Sequence, residues 1–265
     1  MESAGLLALG QRDRGRLIDL PAPGGRRQLG RYAGKGGTAR TVIQFRAHVC
    51  QIPVSWTVDA FHILSWQNEG CSASIAADGA LLDSVPANGG PLMALEWTLA
   101  YPTWVVPVSG ARVLVNHGVD RVAADHKTLC SCDAATGKCQ ALELPAASTI
   151  LDPALARTVG ALFEVRMQQS VQMNGIVADG TIWLGDAAGE HERELTDADT
   201  GDADPVPSPS GSTVTFVHMT SAGKASVDLL TVRTGIVRQL AIVDDADSFG
   251  EFEAPMVLSV WRPIG

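Results

Sequence analysis

His117-Gly-Val-Asp120-Arg121, followed by Asp125-His126, is the densest catalytic-looking patch in the sequence. An imidazole beside a carboxylate can move protons near neutral pH, and a guanidinium such as Arg121 can clamp a carboxylate. His218 is a further candidate base. No Gly-x-Ser-x-Gly or comparable nucleophile motif accompanies these residues, and His117 and His126 share one loop, so a solvated loop is the plainer account of the cluster. The string Asp197-x-Asp199-x-Gly201-Asp202 alternates hard oxygen donors in the manner calcium prefers. It lacks the glutamate that closes an EF-hand loop, and an aspartate before proline also caps turn amides. No cofactor is firmly implied, and a divalent cation such as calcium is the candidate. Asp244, Asp245, Asp247, Glu251 and Glu253 crowd a segment without Lys or Arg, a negative field suited to a cationic or charged ligand.

A degenerate repeat decides which elements must position these residues. Pro53, Pro102, Pro153, Pro205 and Pro255 recur about every 50 residues, the kind of period that marks a repeat architecture. Each proline opens a segment that ends on a small residue: Ala60, Gly110, Gly160, Gly211 and Gly265. Within a copy the apolar residues lack helical spacing and are rich in β-branched types, so they read as strands. The copy from 204 gives inner strand A over 205–210, then B over 212–218, C over 226–232 and outer D over 236–241. The copy from 153 gives 154–159, 161–167, 181–186 and 191–195. The copy from 102 gives 103–108, 111–116, 127–133 and 138–143. The copy from 53 gives 54–59, 61–66, 80–85 and 91–96. Four-stranded sheets at this period are the blades of a β-propeller. For the fifth blade, 255–265 would supply strand A, and 4–9, 16–20 and 26–29 would supply B, C and D. The expectation is an all-β chain, a single domain over 1–265, with five four-stranded blades and a seam blade shared between the termini. An open array is the alternative.

Asp204-Pro205-Val-Pro-Ser-Pro-Ser-Gly211 followed by Val214-Thr-Phe216 resembles the TolB-type (WD-like) propeller repeat, as do Ile182-Trp-Leu-Gly-Asp186 with Arg193-Glu-Leu-Thr196, and Thr234-Gly235 with Arg238-Gln-Leu240. The pattern weakens in blade two, where Asp59-Ala60 stands for Asp-Gly. The resemblance implies an architecture rather than a reaction, since propellers of this kind serve as periplasmic interaction modules, peptidase lids and occasional lyases.

Composition narrows the partners. A net charge of −9 argues against nucleic acid, whose phosphates it would repel. No run of 18 apolar residues exists to span a bilayer as a helix, and the first residues lack the basic flank and length of a signal peptide. A Cys132–Cys139 pair brackets the turn Ala134-Ala-Thr-Gly137, so the two cysteines should oppose one another as a cross-strand disulfide. Such a bond favours an extracellular or periplasmic location. Cys50 and Cys71 could form a second bridge, which leaves Cys130 over.

The A–B and C–D turns share one propeller rim and read as minimal, for example Ser109-Gly110 and Thr136-Gly137. The other rim carries the longer connections, with B–C loops at 67–79, 117–126, 168–180 and 219–225, and links at 30–52, 144–152, 196–204 and 242–254. Long loops on a rigid scaffold are where binding residues concentrate. Arg157 is expected on an inner strand facing the channel, and Trp56, Trp104 and Trp261 are expected to pack the core. The leading expectation is a monomeric, non-catalytic binding or scaffold propeller that engages a protein, peptide or small charged ligand on its loop-rich face. The other reading is a hydrolase or lyase with a metal-assisted site at the channel mouth, so whether it is an enzyme stays open.

Overall fold

The computed structural model describes residues 16–21, 27–32, 40–44, 49–69, 79–118, 127–142, 148–168, 180–186, 188, 190–197, 201–219 and 225–243. They form strands almost throughout. The first sheet has three strands, β1 (Arg16–Pro21), β2 (Arg27–Tyr32) and β3 (Arg40–Gln44), in that order. Four antiparallel four-stranded sheets follow. They are β4 (Val49–Trp56), β5 (His62–Glu69), β6 (Ala80–Pro86) and β7 (Met93–Thr98); then β8 (Val105–Ser109), β9 (Arg112–His117), β10 (Thr128–Asp133) and β11 (Lys138–Ala141); then β12 (Ser148–Ala156), β13 (Ala161–Gln168), β14 (Thr181–Asp186) and β15 (Arg193–Glu194); and finally β16 (Gly201–Pro207), β17 (Thr213–Met219), β18 (Ala225–Thr231) and β19 (Ile236–Val243). Each runs in simple meander order, the topology of a propeller blade. No helix among the described residues is long and apolar enough to cross a membrane.

Consecutive sheets pack face to face, so the middle strands are largely buried and carry apolar residues on both faces. In β5 and β6, Leu64, Trp66 and Leu82 join Val113, Val115, Cys130 and Cys132 of the third sheet. On the opposite face, Ile63 and Val85 join Trp56 and Val42 of β3. Leu114, Leu129, Ile150 and Leu162 fill the third interface. Phe163, Ile182, Val214, Phe216 and Leu230 fill the fourth. These are fully or nearly fully buried side chains, and cutting one such leucine to alanine typically costs about 2–5 kcal/mol.

The repeat prolines act differently from the expectation. Rather than opening the inner strands, Pro53, Pro153 and Pro205 lie inside them, at the register shifts of β4, β12 and β16. Proline cannot donate to a ladder, so a bulge is where a strand tolerates it. The inner strands therefore begin earlier than expected, at 49, 148 and 201, and end earlier, while the B, C and D strands lie close to their expected positions. Three consequences correct the sequence reading. Arg157 falls in the exposed turn after β12 rather than on a channel-facing strand. Trp104 is buried, but in a short 3-10 turn (Pro102–Trp104) that precedes β8. The link 30–52 is not a loop, since it carries the end of β2, all of β3 and the start of β4. The strands expected at 16–20 and 26–29 correspond to β1 and β2, and β3 is a third strand of their sheet in a segment expected to be a link. The expected strand at 4–9 and the segment 255–265 lie outside the described residues, as does Trp261.

The turns on one rim are as tight as expected. Gly211 has φ 67°, and a Cβ there would meet Val159 Cγ2 at 3.0 Å and Ala156 Cβ at 3.2 Å, so the turn requires glycine on two counts. Ala60 occupies the corresponding place in the second sheet with φ 61°, a left-handed conformation that L-residues adopt at a cost. Its turn is held by Asp59, whose Oδ1 accepts from Thr57 Oγ1 at 2.6 Å and Phe61 N at 3.0 Å.

Candidate functional site

Two histidine–carboxylate pairs stand toward the strand ends at the opposite rim. Seven residues past the turn glycine, β9 places His117 (110 + 7) and β17 places His218 (211 + 7), so the two histidines occupy the same position of the repeat. The other sheets have Gln67 and Met167 there. His117 Nδ1 lies 2.9 Å from Glu96 Oε1, which comes from β7 of the preceding sheet. A parallel bridge between Thr98 and Gly118, with Gly118 N bonded to Trp97 O at 3.1 Å, ties these two sheets together at that level. His218 Nδ1 lies 2.8 Å from Oδ1 of Asp202 on β16, a carboxylate that is 1% exposed while the imidazole is 26% exposed. The Asp202 backbone N–H bonds Gly180 O of the preceding sheet at 2.8 Å. Asp202, His218 and Ser226 stand opposite one another across β16, β17 and β18. Ser226 Oγ donates to Asp228 Oδ1 at 2.8 Å rather than serving as a nucleophile beside the histidine. In the Asp202–His218 pair the carboxylate can only accept from Nδ1, which leaves Nε2 as the basic nitrogen of that ring, whereas His117 Nδ1 lies near Glu96 without making a hydrogen bond to it. Such an imidazole can take a proton, bind a metal ion or accept a ligand hydrogen bond.

Other candidates separate. Asp197 is exposed beyond β15, whereas Asp202 has turned into the sheet to meet His218. Asp120, Arg121, His126, Asp199, Asp244, Asp245, Asp247, Glu251 and Glu253 lie outside the described residues, as do Cys71 and the Cys50 side chain. Among the described residues, Asp186, Glu190 and His191 bring ligand atoms within 4.8 Å of one another, but on the exposed β14–β15 turn of the tight rim. Asp186 there is held below the usual carboxylate range by the Glu190 backbone N–H and then by the His191 ring. That is the hydrogen bonding of an Asx turn.

Cys132 and Cys139 stand opposite each other on β10 and β11 and are joined as a disulfide, with Cα atoms 4.0 Å apart. Cys130 is a free, buried thiol, which burial pushes up to about 11. Several buried charged side chains went unnoticed in the sequence, among them Arg166, Glu164 and Asp83. Arg166 Nε bonds Glu164 Oε1 at 2.7 Å, its Nη2 reaches both Glu164 and Glu192, and its guanidinium lies 4.3 Å from the Trp183 ring centroid. Burial raises the Glu164 carboxyl, and Arg166 pulls against that rise. Asp83, on β6, is 2% exposed, its Oδ2 meets no hydrogen-bond donor, and burial alone pushes its pKa to about 6. Strand alternation put Glu164 and Arg166 on one face of β13, a signal the sequence offered. Glu96 offered none, because its partner lies in another repeat.

No protein-family model matches the chain, and no curated protein is similar to it. Solved structures are similar in fold. A prolyl endopeptidase superposes with TM-score 0.58 at 10% identity, over 87% of this chain and 34% of that one. An oligogalacturonate lyase in complex with manganese gives TM-score 0.58 at 12% identity, over 88% and 66%. A TolB protein from Agrobacterium tumefaciens gives 0.47 at 17% identity, over 78% and 85%. The chain thus spans about a third of the endopeptidase and just under two thirds of the lyase. At such identities the likeness is one of fold, the β-propeller.

Proposed function

We propose that this β-propeller is a binding or scaffold module that engages a protein, peptide or small charged ligand on the rim where the B–C connections leave the strands. One observation carries the reading. The turns 134–137, 157–160 and 232–235 are closed by their own backbone hydrogen bonds, while Glu96–His117 and Asp202–His218 stand where the longer connections 70–79, 118–127 and 169–180 begin or where neighbouring strands meet them. Binding on such a rim draws on preorganised polar groups at strand ends. In the same reading, 255–265 supplies the missing inner strand beside β1, giving five blades in a closed monomeric ring. The Cys132–Cys139 disulfide supports an extracellular or periplasmic location.

The test replaces Asp197, Asp199, Asp244, Asp245 and Asp247 with Asn, and compares calorimetric titrations of calcium and of a short oligolysine peptide with the parent protein. The carboxylate variant should bind the cationic probe more weakly, and the parent's binding should fall with salt on the scale of a Debye length of about 8 Å. Substituting Lys138 and Arg233 on the tight turns should leave it unchanged. If those two abolished binding and the carboxylates were neutral, the binding surface would be the other rim. The second reading, a metal-assisted hydrolase or lyase, is favoured by the carboxylate-oriented imidazole of His218. It requires turnover of a probe substrate that is lost in His218→Gln.

A further inference from the structure

We infer that Asp202 is a positioning residue that fixes His218 to accept a cationic N–H donor, so that this corner of the rim takes an amine or guanidine group of a basic peptide. The inference rests on the rim reading and names the ligand class of one subsite within it.

Packing gives no reason for an aspartate at 202. The register shifts of β12 and β16 follow Leu151 and Ala203, and the residues just before these are Ile150 and Asp202. Ile150 is fully buried in an aliphatic cluster, so the fold fills this place with an apolar side chain. Asp202 puts a carboxylate there at 1% exposure, and a buried carboxylate is costly unless it is paired.

The pair with His218 has a direction. Nδ1 lies 2.8 Å from Asp202 Oδ1, on the buried side of a ring that is 26% exposed. The carboxylate can only accept, so the ring proton sits on Nδ1 and the lone pair on Nε2. Across the ladder on the other side of His218, Ser226 gives its hydroxyl to Asp228 Oδ1 at 2.8 Å, which leaves Asp202 to set the ring. The outward edge of the pair therefore accepts hydrogen bonds, and the carboxylate behind it supplies negative charge. A hydroxyl donor meets only the first condition. A protonated amine or guanidine meets both, and a chain of net charge −9 draws such a partner. His117 is no equal to this, since its Nδ1 makes no hydrogen bond to Glu96.

Nitrogen NMR of the full chain carrying isotope-labelled histidine reads the inference directly. At about pH 8, ligand-free His218 should hold its proton on Nδ1, and Asp202→Val should move it to Nε2. A short oligolysine should shift the His218 Nε2 signal of the parent, whereas oligoserine, a hydroxyl donor of like length, should not. In calorimetry, Asp202→Val should bind oligolysine roughly tenfold or more weakly. Glu194→Gln, which removes an exposed carboxylate elsewhere, should bind it as the parent does. The tautomer and the shift are read on the parent, so the test stands even where the valine variant does not fold. A parent ring protonated on Nε2, or a folded Asp202→Val that binds as tightly as the parent, would overturn the inference. Oligolysine that binds without moving the His218 signals would overturn it too and leave the rim reading intact, whereas no binding of oligolysine at all would overturn both.

Discussion

Replacing Asp83 with Asn should stabilise the protein, and by an amount that depends on pH. The carboxyl sits on β6 opposite Ser65, on the face shared with Ile63 and Val85, and packs toward the first sheet. Ser65 Oγ is itself engaged, accepting from Gln51 Nε2 at 2.9 Å. With burial as the cause, the pKa rises from 3.8 to about 6. In the unfolded chain the group ionises near its ordinary value. Below about pH 3.8 both states hold the proton and Asp83 costs nothing. Between there and about pH 6 the unfolded chain loses its proton first, and stability drains away. Above about pH 6 the cost is constant. At about 1.4 kcal/mol for each pH unit, the rise caps the cost at about 3 kcal/mol. The amide has the carboxyl's shape without its charge, so it escapes this cost while keeping the packing. Urea denaturation of the parent and of Asp83→Asn from about pH 4 to about pH 8 provides the assay. The two curves should meet near pH 4 and diverge by up to about 3 kcal/mol by about pH 7. A difference that stayed flat across that range, or a variant less stable near neutral pH, would refute the assignment of a desolvated carboxyl at this position.

Other outcomes follow from the same geometry. Arg166→Met should cost about 3–5 kcal/mol in urea denaturation, because it strands Glu164 in a buried site, and adding Glu164→Gln should recover much of the loss. Peptide mapping without reduction should recover Cys132 linked to Cys139, and reduction should lower stability by about 2–3 kcal/mol at most, the loop being short. Cys130, buried and raised to about 11, should resist iodoacetamide at about pH 8 until the protein unfolds. Ala60→Gly should raise stability by about 1 kcal/mol by relieving a left-handed alanine, whereas Gly211→Ala should lower it by more than the reverse amount, since its Cβ would press on Val159 and Ala156 as well; thermal midpoints distinguish the two.

Local chemistry explains what the sequence disclosed. The pairing of Cys132 with Cys139 was legible because a tight turn fixes the register of the strands it joins, and Asp133 and Lys138 pair as that turn demands. The small residues at 60, 110, 160 and 211 marked real turns because only a positive φ closes them. The prolines misled for an equally physical reason. Proline in a strand pattern signals an end or a bulge with the same letter, and here it marked bulges, which displaced the inner strands and moved Arg157 from a channel wall into a turn. The ion pairs were opaque wherever partners came from different repeats. Arg166 and Glu164 share one strand face and could have been paired by alternation, whereas Glu96 meets His117 only because two sheets are packed side by side.

The two histidine pairs make the rim argument stronger than its parts. His117 and His218 fill one position of the repeat, yet they draw their carboxylates from different places, Glu96 from the outer strand of the preceding sheet and Asp202 from the inner strand of the same sheet. Packing inherited through the repeat would have supplied the same partner each time, as it does for the core residues Ile63, Val113, Phe163 and Val214, which stand at one position of the repeat and are all fully buried. What the two sheets share is an imidazole with a carboxylate beside its Nδ1, hydrogen-bonded at His218 and only close by at His117, while Gln67 and Met167 at the same position lack that chemistry. A rim differentiated in this way presents a ligand with distinct contacts sheet by sheet rather than a repeated one. An asymmetric ligand, reached by different groups around the ring, is what such a rim would select.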